Sequence, residues 1–407
     1  MNAQARRATI VRKPVLKRFL DTHPLAKHAA YTVVDAAFAG AKRIGLDPRS
    51  RRTPFAGNVA RASRFVELDP PHEVIVRGPT AWADDESDRY SKLWQRVARG
   101  YSVQSCGILE LPSARFHLPS GTVSVGGRLP SETIGLVDFP FRWQYLDALR
   151  ALWAPARRIG DGYLLTLQQS GNYYHWVCEV LPLAYALMRD ERWGDLPVYV
   201  GADLPKFVFE FLRLLGLEPY CRPLPPGVYA ANVLRVPTFP GLSSSPSPEH
   251  LLTVRRACLD AVGPSPQPRR RLYISRSDAP DRRITNEAEL LRGLADLGFE
   301  RATLSDKSVP EQIRLFQTAD IVLAPHGAGN TNILFAPSDC VVTEIMGPSI
   351  YSWSFMVIAS TLGQLYGYVG CAERGRDLVV DPSAVRRVVE SLLRARDGAR
   401  CDQLVAE

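Results

Sequence analysis

The segment 320–346 decides the fold of this chain and reads DIVLAPHGAGNTNILFAPSDCVVTEIM. We predict an apolar strand at 320–327, which runs into the glycine loop formed by residues 326–329. A helix is predicted to begin near Asn330, and a second buried strand follows at 341–346. Strand, loop, helix and strand in this order are typical of a parallel sheet that is covered by helices on both faces.

The same alternation extends in both directions from this segment. A final amphipathic helix is predicted at 382–395, and predicted strands at 271–276 and 299–304 flank a helix that begins after Thr285 or Asn286. Farther upstream, predicted strands and helices alternate at 162–167, 172–188, 196–201, 204–217 and 231–237. We therefore predict an α/β protein with two Rossmann-like doubly wound domains that face each other across a cleft.

A Ser/Pro-rich stretch at 241–269 separates the two runs of alternation and contains the predicted domain boundary. The predicted division is a basic N-terminal arm at 1–65, an α/β domain with a β-rich lead-in at 66–245, and a Rossmann-like domain at 246–407. Ligands of such sheets bind outside the carboxyl ends of the strands. The cleft is therefore where we expect the binding site.

The positive charge of the chain is concentrated in the arm. The net charge is +8, whereas residues 1–65 alone carry +11, because they hold 14 Lys and Arg against Asp21, Asp35 and Asp47. A solvated basic tail is the simpler interpretation. The alternative is peripheral contact with an anionic membrane or a phosphate-bearing acceptor, aided by an amphipathic helix predicted at 31–46. Nucleic acid is not an expected partner, because no stacking aromatics accompany the charges.

The seven cysteines are scattered, with no CxxC pair and no Cys/His cluster at the spacing of zinc ligands. We therefore expect reduced thiols, no metal site and no bound cofactor. No apolar run reaches the ~20 residues of a membrane span, and the N-terminus lacks a signal-peptide core. A cytoplasmic protein, peripheral to a membrane, is the expectation.

The glycine loop is the strongest candidate for an anion site. Its backbone N–H groups precede a helix N-terminus, where the helix dipole favours a phosphate, and the histidine can add a donor. The two asparagines that follow can hydrogen-bond to a sugar or a base. The alternative is a tight turn with a capping histidine. A nicotinamide oxidoreductase is disfavoured, because the third glycine of the dinucleotide fingerprint is missing. The residues assigned to this donor site are His326, Gly327, Ala328, Gly329, Asn330 and Asn332.

Two further residues at strand ends are assigned to the same cleft. Arg276, at the end of the strand predicted at 271–276, can span a diphosphate with its guanidinium fork. Glu344 lies in an apolar strand, where a carboxylate is costly unless it has partners. It can accept hydrogen bonds from ribose hydroxyls, and a structural ion pair is the alternative. Arg282 and Arg283 are interpreted as a solvated basic loop.

A polar stripe follows the helix predicted at 172–188. Asn172, His175 and Glu179 have the i, i+3 and i+4 spacing that places them on one face of a helix rich in apolar residues. A histidine held by a carboxylate can act as a general base. The alternative is a buried pair that only anchors the helix.

Three motifs together resemble family 61 glycosyltransferases. They are GNYYHWVCEVLP at 171–182, LYISRSDAPDRRITNE at 272–287 and IVLAPHGAGNTNILFAPSDCVVTEI at 321–345. The family includes plant xylan-decorating transferases, animal O-linked N-acetylglucosaminyltransferases and bacterial proteins of capsule or surface polysaccharide synthesis. The resemblance implies the two-domain GT-B architecture and an inverting, metal-independent transfer. It places family motif positions on His175, Arg276, the loop 326–329 and Glu344.

We therefore expect a glycosyltransferase that moves a sugar from a nucleotide donor, a uridine diphosphate sugar, to a saccharide or lipid-linked saccharide acceptor. Residues 246–407 would hold the donor, and His175, assisted by Glu179, would deprotonate the acceptor. The absence of a DxD pair after any predicted strand supports chemistry without a metal. The alternative is a non-catalytic nucleotide- or glycan-binding component of a polysaccharide assembly complex.

Overall fold

The computed structural model describes residues 52–53, 64–83, 90, 94–95, 97–130, 145–167, 169–189, 194–238, 245–350 and 352–406. The predicted basic arm lies outside these residues apart from 52–53 and 64–65, and its helix at 31–46 lies outside them entirely. The predicted membrane contact of the arm therefore stays a prediction.

The described strands and helices follow each other in the predicted α/β pattern. In chain order the strands are β1 (Arg52–Thr53), β2 (Arg64–Asp69), β3 (His72–Val74), β4 (Ala81–Ala83), β5 (Tyr101–Val103), β6 (Cys106–Leu118), β7 (Thr122–Val125), β8 (Leu129–Pro130), β9 (Arg157–Arg158), β10 (Gly162–Leu164), β11 (Val198–Gly201), β12 (Cys221–Leu224), β13 (Gly227–Pro237), β14 (Arg270–Ile274), β15 (Phe299–Ala302), β16 (Ala319–Pro325), β17 (Val341–Met346), β18 (Leu365–Gly370), β19 (Ala372–Arg374) and β20 (Asp377–Val379).

The helices are α1 (Tyr145–Trp153), α2 (Tyr173–His175), α3 (Leu181–Arg189), α4 (Lys206–Leu214), α5 (Pro248–Val262), α6 (Glu287–Gly293), α7 (Val309–Gln317), α8 (Ser354–Leu362) and α9 (Pro382–Ala406). A π-helical turn, Trp176–Val180, joins α2 to α3. Short 3₁₀ helices span Glu218–Tyr220, Ala295–Leu297 and Ala328–Phe335.

The first sheet has the strand order β12-β11-β10-β13-β6-β2. Its four strands from β12 to β13 are parallel, and their spatial order is the third, second, first and fourth of them along the chain. This is the order of the first four strands of a Rossmann sheet. β6 and β2 extend the sheet in antiparallel fashion, so the β-rich lead-in makes this a mixed sheet.

The second sheet has the order β15-β14-β16-β17-β18-β4, and every pairing in it is parallel. Its five strands from β14 to β18 have the 2-1-3-4-5 order of another doubly wound fold, with a topological switch point between β14 and β16. All six residues of β17 are buried, as expected for a strand covered on both faces. The edge strand β4 comes from the lead-in that the sequence assigned to residues 66–245.

A shared core joins the two sheets. Trp176 and Phe211 from the first half lie in the same buried cluster as Phe316, Phe335 and Tyr368 from the second half. Helix α5, which follows the Ser/Pro-rich stretch, packs against helices of both halves. Burial of large apolar side chains on both sides of α5 stabilises this junction. The doubly wound sheets agree with the predicted α/β class, and the division into two GT-B-like domains stays a prediction.

Element boundaries differ from the predictions in ways that bear on the site. The helix predicted after Thr285 or Asn286 ends at Gly293. A separate 3₁₀ turn follows it, before Gly298, which has a left-handed backbone. The chain enters a 3₁₀ helix at Ala328, two residues before the predicted helix start. None of the described helices has the length and apolar character needed to cross a bilayer.

Candidate functional site

A cavity of about 410 Å³ opens at the carboxyl ends of the second sheet. Its walls come from the loop after β14 (Asp281 and Arg282), the loop after β16 (His326), the segment after β17 (Ser349 and Ser352) and the β19–β20 turn (Arg376). These loops lie at the edge where doubly wound sheets bind their ligands. The volume falls in the range of small-molecule sites.

Three guanidinium groups surround the carboxylate of Asp281. Its oxygens lie 3.3 Å from Arg276, 3.5 Å from Arg282 and 3.0 Å from Arg376. Arg276 also donates two hydrogen bonds to the backbone oxygen of Asp281. Burial lowers the pKa of Arg276, and the neighbouring Arg282 adds to this effect, whereas Asp281 opposes it. The cavity wall itself carries Arg282 and Arg376 against Asp281 and Glu373, so its charges balance, and the buried Arg276 behind it adds one positive charge.

The structure brings the predicted arginine and the predicted glycine loop into contact. A Cβ atom at Gly327 would lie 1.9 Å from a terminal nitrogen of Arg276, so a side chain there would displace the guanidinium. The backbone of Gly327 is extended, and the glycine therefore serves the close approach of the guanidinium and not a left-handed conformation. Arg276 supports the loop from behind, since the described residues that line the cavity include Arg282 but not Arg276.

His326 faces the cavity with a fixed ring orientation. Its Nδ1 hydrogen-bonds to Oε1 of Glu344, and the other oxygen of Glu344 accepts a hydrogen bond from the Tyr366 hydroxyl. Glu344 is only 2% exposed, and burial, with a contribution from Glu344, raises the pKa of Tyr366. Both carboxylate oxygens thus have protein partners, and the predicted contact with ribose hydroxyls stays a prediction. Since Nδ1 is engaged, Nε2 is the ring nitrogen left for a ligand.

The two asparagines after the loop make internal contacts. Asn332 is fully buried, donates to Gln312 and to the Gly329 carbonyl, and accepts a hydrogen bond of 2.8 Å from Tyr173. Asn330 is also buried and donates to the carbonyl of Pro325. Both asparagines therefore have partners within the chain, and their predicted contact with a sugar or base stays a prediction. These bonds fix the 3₁₀ helix and attach it to α2.

The predicted polar stripe forms in part. His175 Nδ1 lies 2.9 Å from Glu179 Oε2, and both side chains are largely buried. The Asn172 side chain instead caps the helix by accepting from the Tyr174 N–H, so it takes no part in the pair. Glu179 belongs to the π-helical turn, a feature that is frequent at functional sites. Its Oε1 is buried and has no hydrogen-bond partner within the described chain.

An aromatic bridge connects His175 with His326. Tyr174 contacts the His175 ring at 5.3 Å and the Phe355 ring at 6.0 Å, and Phe355 contacts the His326 ring at 5.1 Å between centroids. The two histidines, each paired with a glutamate, therefore belong to one ring cluster. His175 itself is not one of the described residues that line the cavity.

Several cavity residues were not predicted from the sequence. Arg282 was interpreted as part of a solvated loop, and no role was predicted for Asp281, Ser349, Ser352 or Arg376. Arg282 has a left-handed backbone, and its N–H donates to the Arg376 carbonyl, which joins the two loops. The basic Gly-Arg turn at 375–376, which joins the two short strands β19 and β20, was the available signal. Arg283, in contrast, forms an exposed ion pair with Asp377.

Comparison with known proteins agrees with the resemblance. Residues 173–343, less than half of the chain, match the model of a family described as Glycosyltransferase 61. A stretch of 104 residues is 35% identical to the beta-1,2-xylosyltransferase XAX1 of Oryza sativa subsp. japonica and covers 25% of this chain and 18% of that protein. The chain thus spans under a fifth of the curated relative it matches. Both matches support a glycosyltransferase, and neither bears on the capsular setting.

Proposed function

We propose that this chain is an inverting, metal-independent glycosyltransferase that moves a sugar from a uridine diphosphate donor to a saccharide or lipid-linked saccharide acceptor in polysaccharide biosynthesis. The observation that carries the proposal is the cavity at the strand ends, where Arg282, Arg376 and His326 converge. A diphosphate needs compensating positive charge, and guanidinium forks match its oxygens. The family match supports a sugar nucleotide as the diphosphate.

The GT-B-like arrangement is part of the proposal. Residues 246–407 would hold the donor, and residues 66–245 would present the acceptor. The Rossmann-type order of the first sheet and the doubly wound order of the second support two such units. The strand β4 and the shared core would then tie the two units together.

The leaving diphosphate is stabilised in this proposal by protein groups. As the bond between the anomeric carbon and the phosphate oxygen breaks, negative charge develops on that oxygen. Arg282 and Arg376 neutralise it, and His326, whose ring Glu344 holds, faces the diphosphate from the cavity wall. Arg276 keeps Asp281 and the Gly327 backbone in place. Donors fixed before the reaction stabilise the transition state without reorganisation.

The acceptor hydroxyl needs a base on the opposite face of the sugar, because inversion requires attack opposite the leaving group. We assign this task to His175, because its Nδ1 hydrogen-bonds to Glu179 and a carboxylate that orients a histidine suits a general base. The acceptor oxygen then forms the new bond to the anomeric carbon while the nucleoside diphosphate departs. The ring contacts through Tyr174 and Phe355 support a location of His175 close to the donor cavity.

A crystal structure with bound uridine diphosphate tests the proposed donor site. We expect the diphosphate between Arg282 and Arg376, with a phosphate oxygen within hydrogen-bond distance of His326 Nε2. Density at any other place, or no binding at millimolar ligand, would contradict the proposal.

The second candidate is a non-catalytic nucleotide- or glycan-binding component of a polysaccharide assembly complex. Two observations favour it: the buried Asn332 and the guanidinium of Arg276 both bond to the protein's own backbone, as residues with a structural role do. A binding component would bind the nucleotide but release no free uridine diphosphate from a sugar nucleotide in the presence of acceptors.

A further inference from the structure

A second cluster of metal-binding side chains lies in the first half of the chain, away from the cavity. Asp69, Cys106 and His250 are far apart in the sequence, yet one ligand atom from each lies within 4.8 Å of the others. Asp69 Oδ2 is 3.6 Å from His250 Nε2, and Cys106 Sγ is 4.0 Å from the same nitrogen. No motif spacing predicts this cluster from the sequence.

The backbone explains why these side chains meet. Asp69, the last residue of β2, pairs directly with Cys106, the first residue of β6, beside an irregularity in the ladder. Residues directly opposite each other in an antiparallel pair present their side chains on the same face. His250 reaches this face from the first turn of α5. The cluster thus joins the first sheet to the helix that packs against both halves.

The cluster contains buried polar atoms that lack partners. Asp69 is 4% exposed and Cys106 is 0% exposed. Asp69 Oδ2 and His250 Nδ1 make no hydrogen bond to any described residue. A buried carboxylate oxygen without a donor is costly. A cation between the three side chains would satisfy the carboxylate.

The chemistry of the three donors selects the metal. Thiolate, imidazole and carboxylate are the ligands of Zn²⁺, whereas Mg²⁺ and Ca²⁺ require oxygen ligands. Zinc bond lengths with tetrahedral angles give ligand separations of about 3.3 Å for nitrogen to oxygen and about 3.6 Å for sulfur to nitrogen. The observed 3.6 Å and 4.0 Å separations need to contract by only a few tenths of an ångström.

The surroundings provide a fourth position and an entry path. His72 lies on the solvent side of the cluster, with its Nδ1 3.6 Å from the other oxygen of Asp69. His72 and Glu249 line a neighbouring cavity of about 340 Å³. A catalytic Cys-His-Asp triad is the competing interpretation, but the thiol is fully buried, and neither Cys106 nor His250 is among the described residues that line the 410 Å³ and 340 Å³ cavities.

We propose that Asp69, Cys106 and His250 bind one structural Zn²⁺ ion, with the fourth coordination position facing His72. The ion clamps the start of α5 to the junction of β2 and β6. Such a clamp stabilises the fold and takes no part in sugar transfer. The proposal therefore stands or fails independently of the transferase activity.

The test measures zinc in the untagged full-length protein after dialysis into metal-free buffer. We expect about one zinc ion per chain in the wild type. Cys106→Ser, Asp69→Asn and His250→Gln should each lower zinc affinity by more than the 10–100-fold that loss of an outer-shell partner typically costs. The matched control is Cys221→Ser, which alters another buried cysteine of the same sheet and should keep the zinc.

Cobalt binding by the wild type gives a test that does not depend on whether the variants fold. Co²⁺ bound to Cys106 gives a thiolate-to-metal charge-transfer band in the near ultraviolet. Zinc addition should also raise the melting temperature of the apo wild type but not that of Asp69→Asn. A wild type that binds neither zinc nor cobalt, a cobalt complex without the band, or ligand variants with wild-type zinc content would overturn the proposal.

Discussion

Replacement of Arg376 by alanine is the sharpest perturbation of the proposed donor site. Arg376 lines the cavity, and its guanidinium lies 3.0 Å from Asp281. The same β19–β20 hairpin offers a matched control, because the exposed Arg374 is not one of the described cavity-lining residues. Both substitutions remove one positive charge from the same hairpin. Any difference between them therefore reports on the cavity and not on net charge.

The magnitude follows from the exposure of the side chain. A hydrogen bond to a charged group contributes about 1.5–3 kcal/mol when it is well shielded. Arg376 is 46% exposed, and solvent screening weakens such a contact. We therefore expect Arg376→Ala to weaken uridine diphosphate binding by about 1–2 kcal/mol, or roughly 5–30-fold in Kd. Arg282→Ala should have a similar effect, because Arg282 is comparably exposed and lines the same cavity.

Isothermal titration calorimetry with uridine diphosphate measures this effect. The loss should shrink as ionic strength rises, because salt screens the exposed guanidinium. Arg374→Ala and Arg283→Ala should bind like the wild type, since Arg283 is engaged with Asp377 at the surface. Unchanged affinity in folded Arg376→Ala and Arg282→Ala proteins, or an equal loss in the controls, would refute the assignment of the cavity.

Other substitutions and treatments test the remaining steps. Arg276→Ala should weaken uridine diphosphate binding indirectly, because it removes the buried guanidinium that holds the Asp281 backbone and lies against Gly327, and unchanged calorimetric affinity would be inconsistent with this supporting role. His175→Ala should reduce single-turnover transfer by ~10²–10⁴-fold with donor binding retained, and Glu179→Gln should cost less. A folded His175→Ala protein with a normal rate and only a lower melting temperature would leave His175 as a helix anchor. Transfer should survive EDTA in the assay; lost turnover that Mn²⁺ restores, with bound zinc unchanged, would exclude metal independence. Deletion of residues 1–50 should reduce binding to anionic vesicles at low salt, and equal binding would exclude the proposed role of the arm.

The parts of the fold that depend on local sequence were predictable. The strand predicted at 341–346 coincides with β17, because a mostly apolar segment is typical of a strand that is buried on both faces. The glycine loop and Arg276 were also identified, and the structure brings them into contact. The pairing of His175 with Glu179 followed from helical spacing alone.

The parts that depend on tertiary pairing were not predictable. The hydrogen-bond partners of Glu344 could not be predicted, because His326 and Tyr366 come from the adjacent loop and strand. Arg376 reaches the cavity only because the β19–β20 hairpin folds over the strand ends. Asp69 and Cys106 meet through the register of β2 and β6, and the local sequence of the two strands does not specify that register.

The central claim is that this cavity serves sugar transfer, and a transfer assay tests it most directly. Wild type and Arg376→Ala are incubated with a panel of uridine diphosphate sugars and saccharide acceptors, and the products are followed by mass spectrometry and nuclear magnetic resonance. We predict an acceptor that gains one sugar residue with inverted anomeric configuration, together with one free uridine diphosphate per product. Arg376→Ala should show a lower kcat/KM. Binding of the sugar nucleotide without release of uridine diphosphate or any gain in acceptor mass, across the panel, would contradict the claim and favour a binding component.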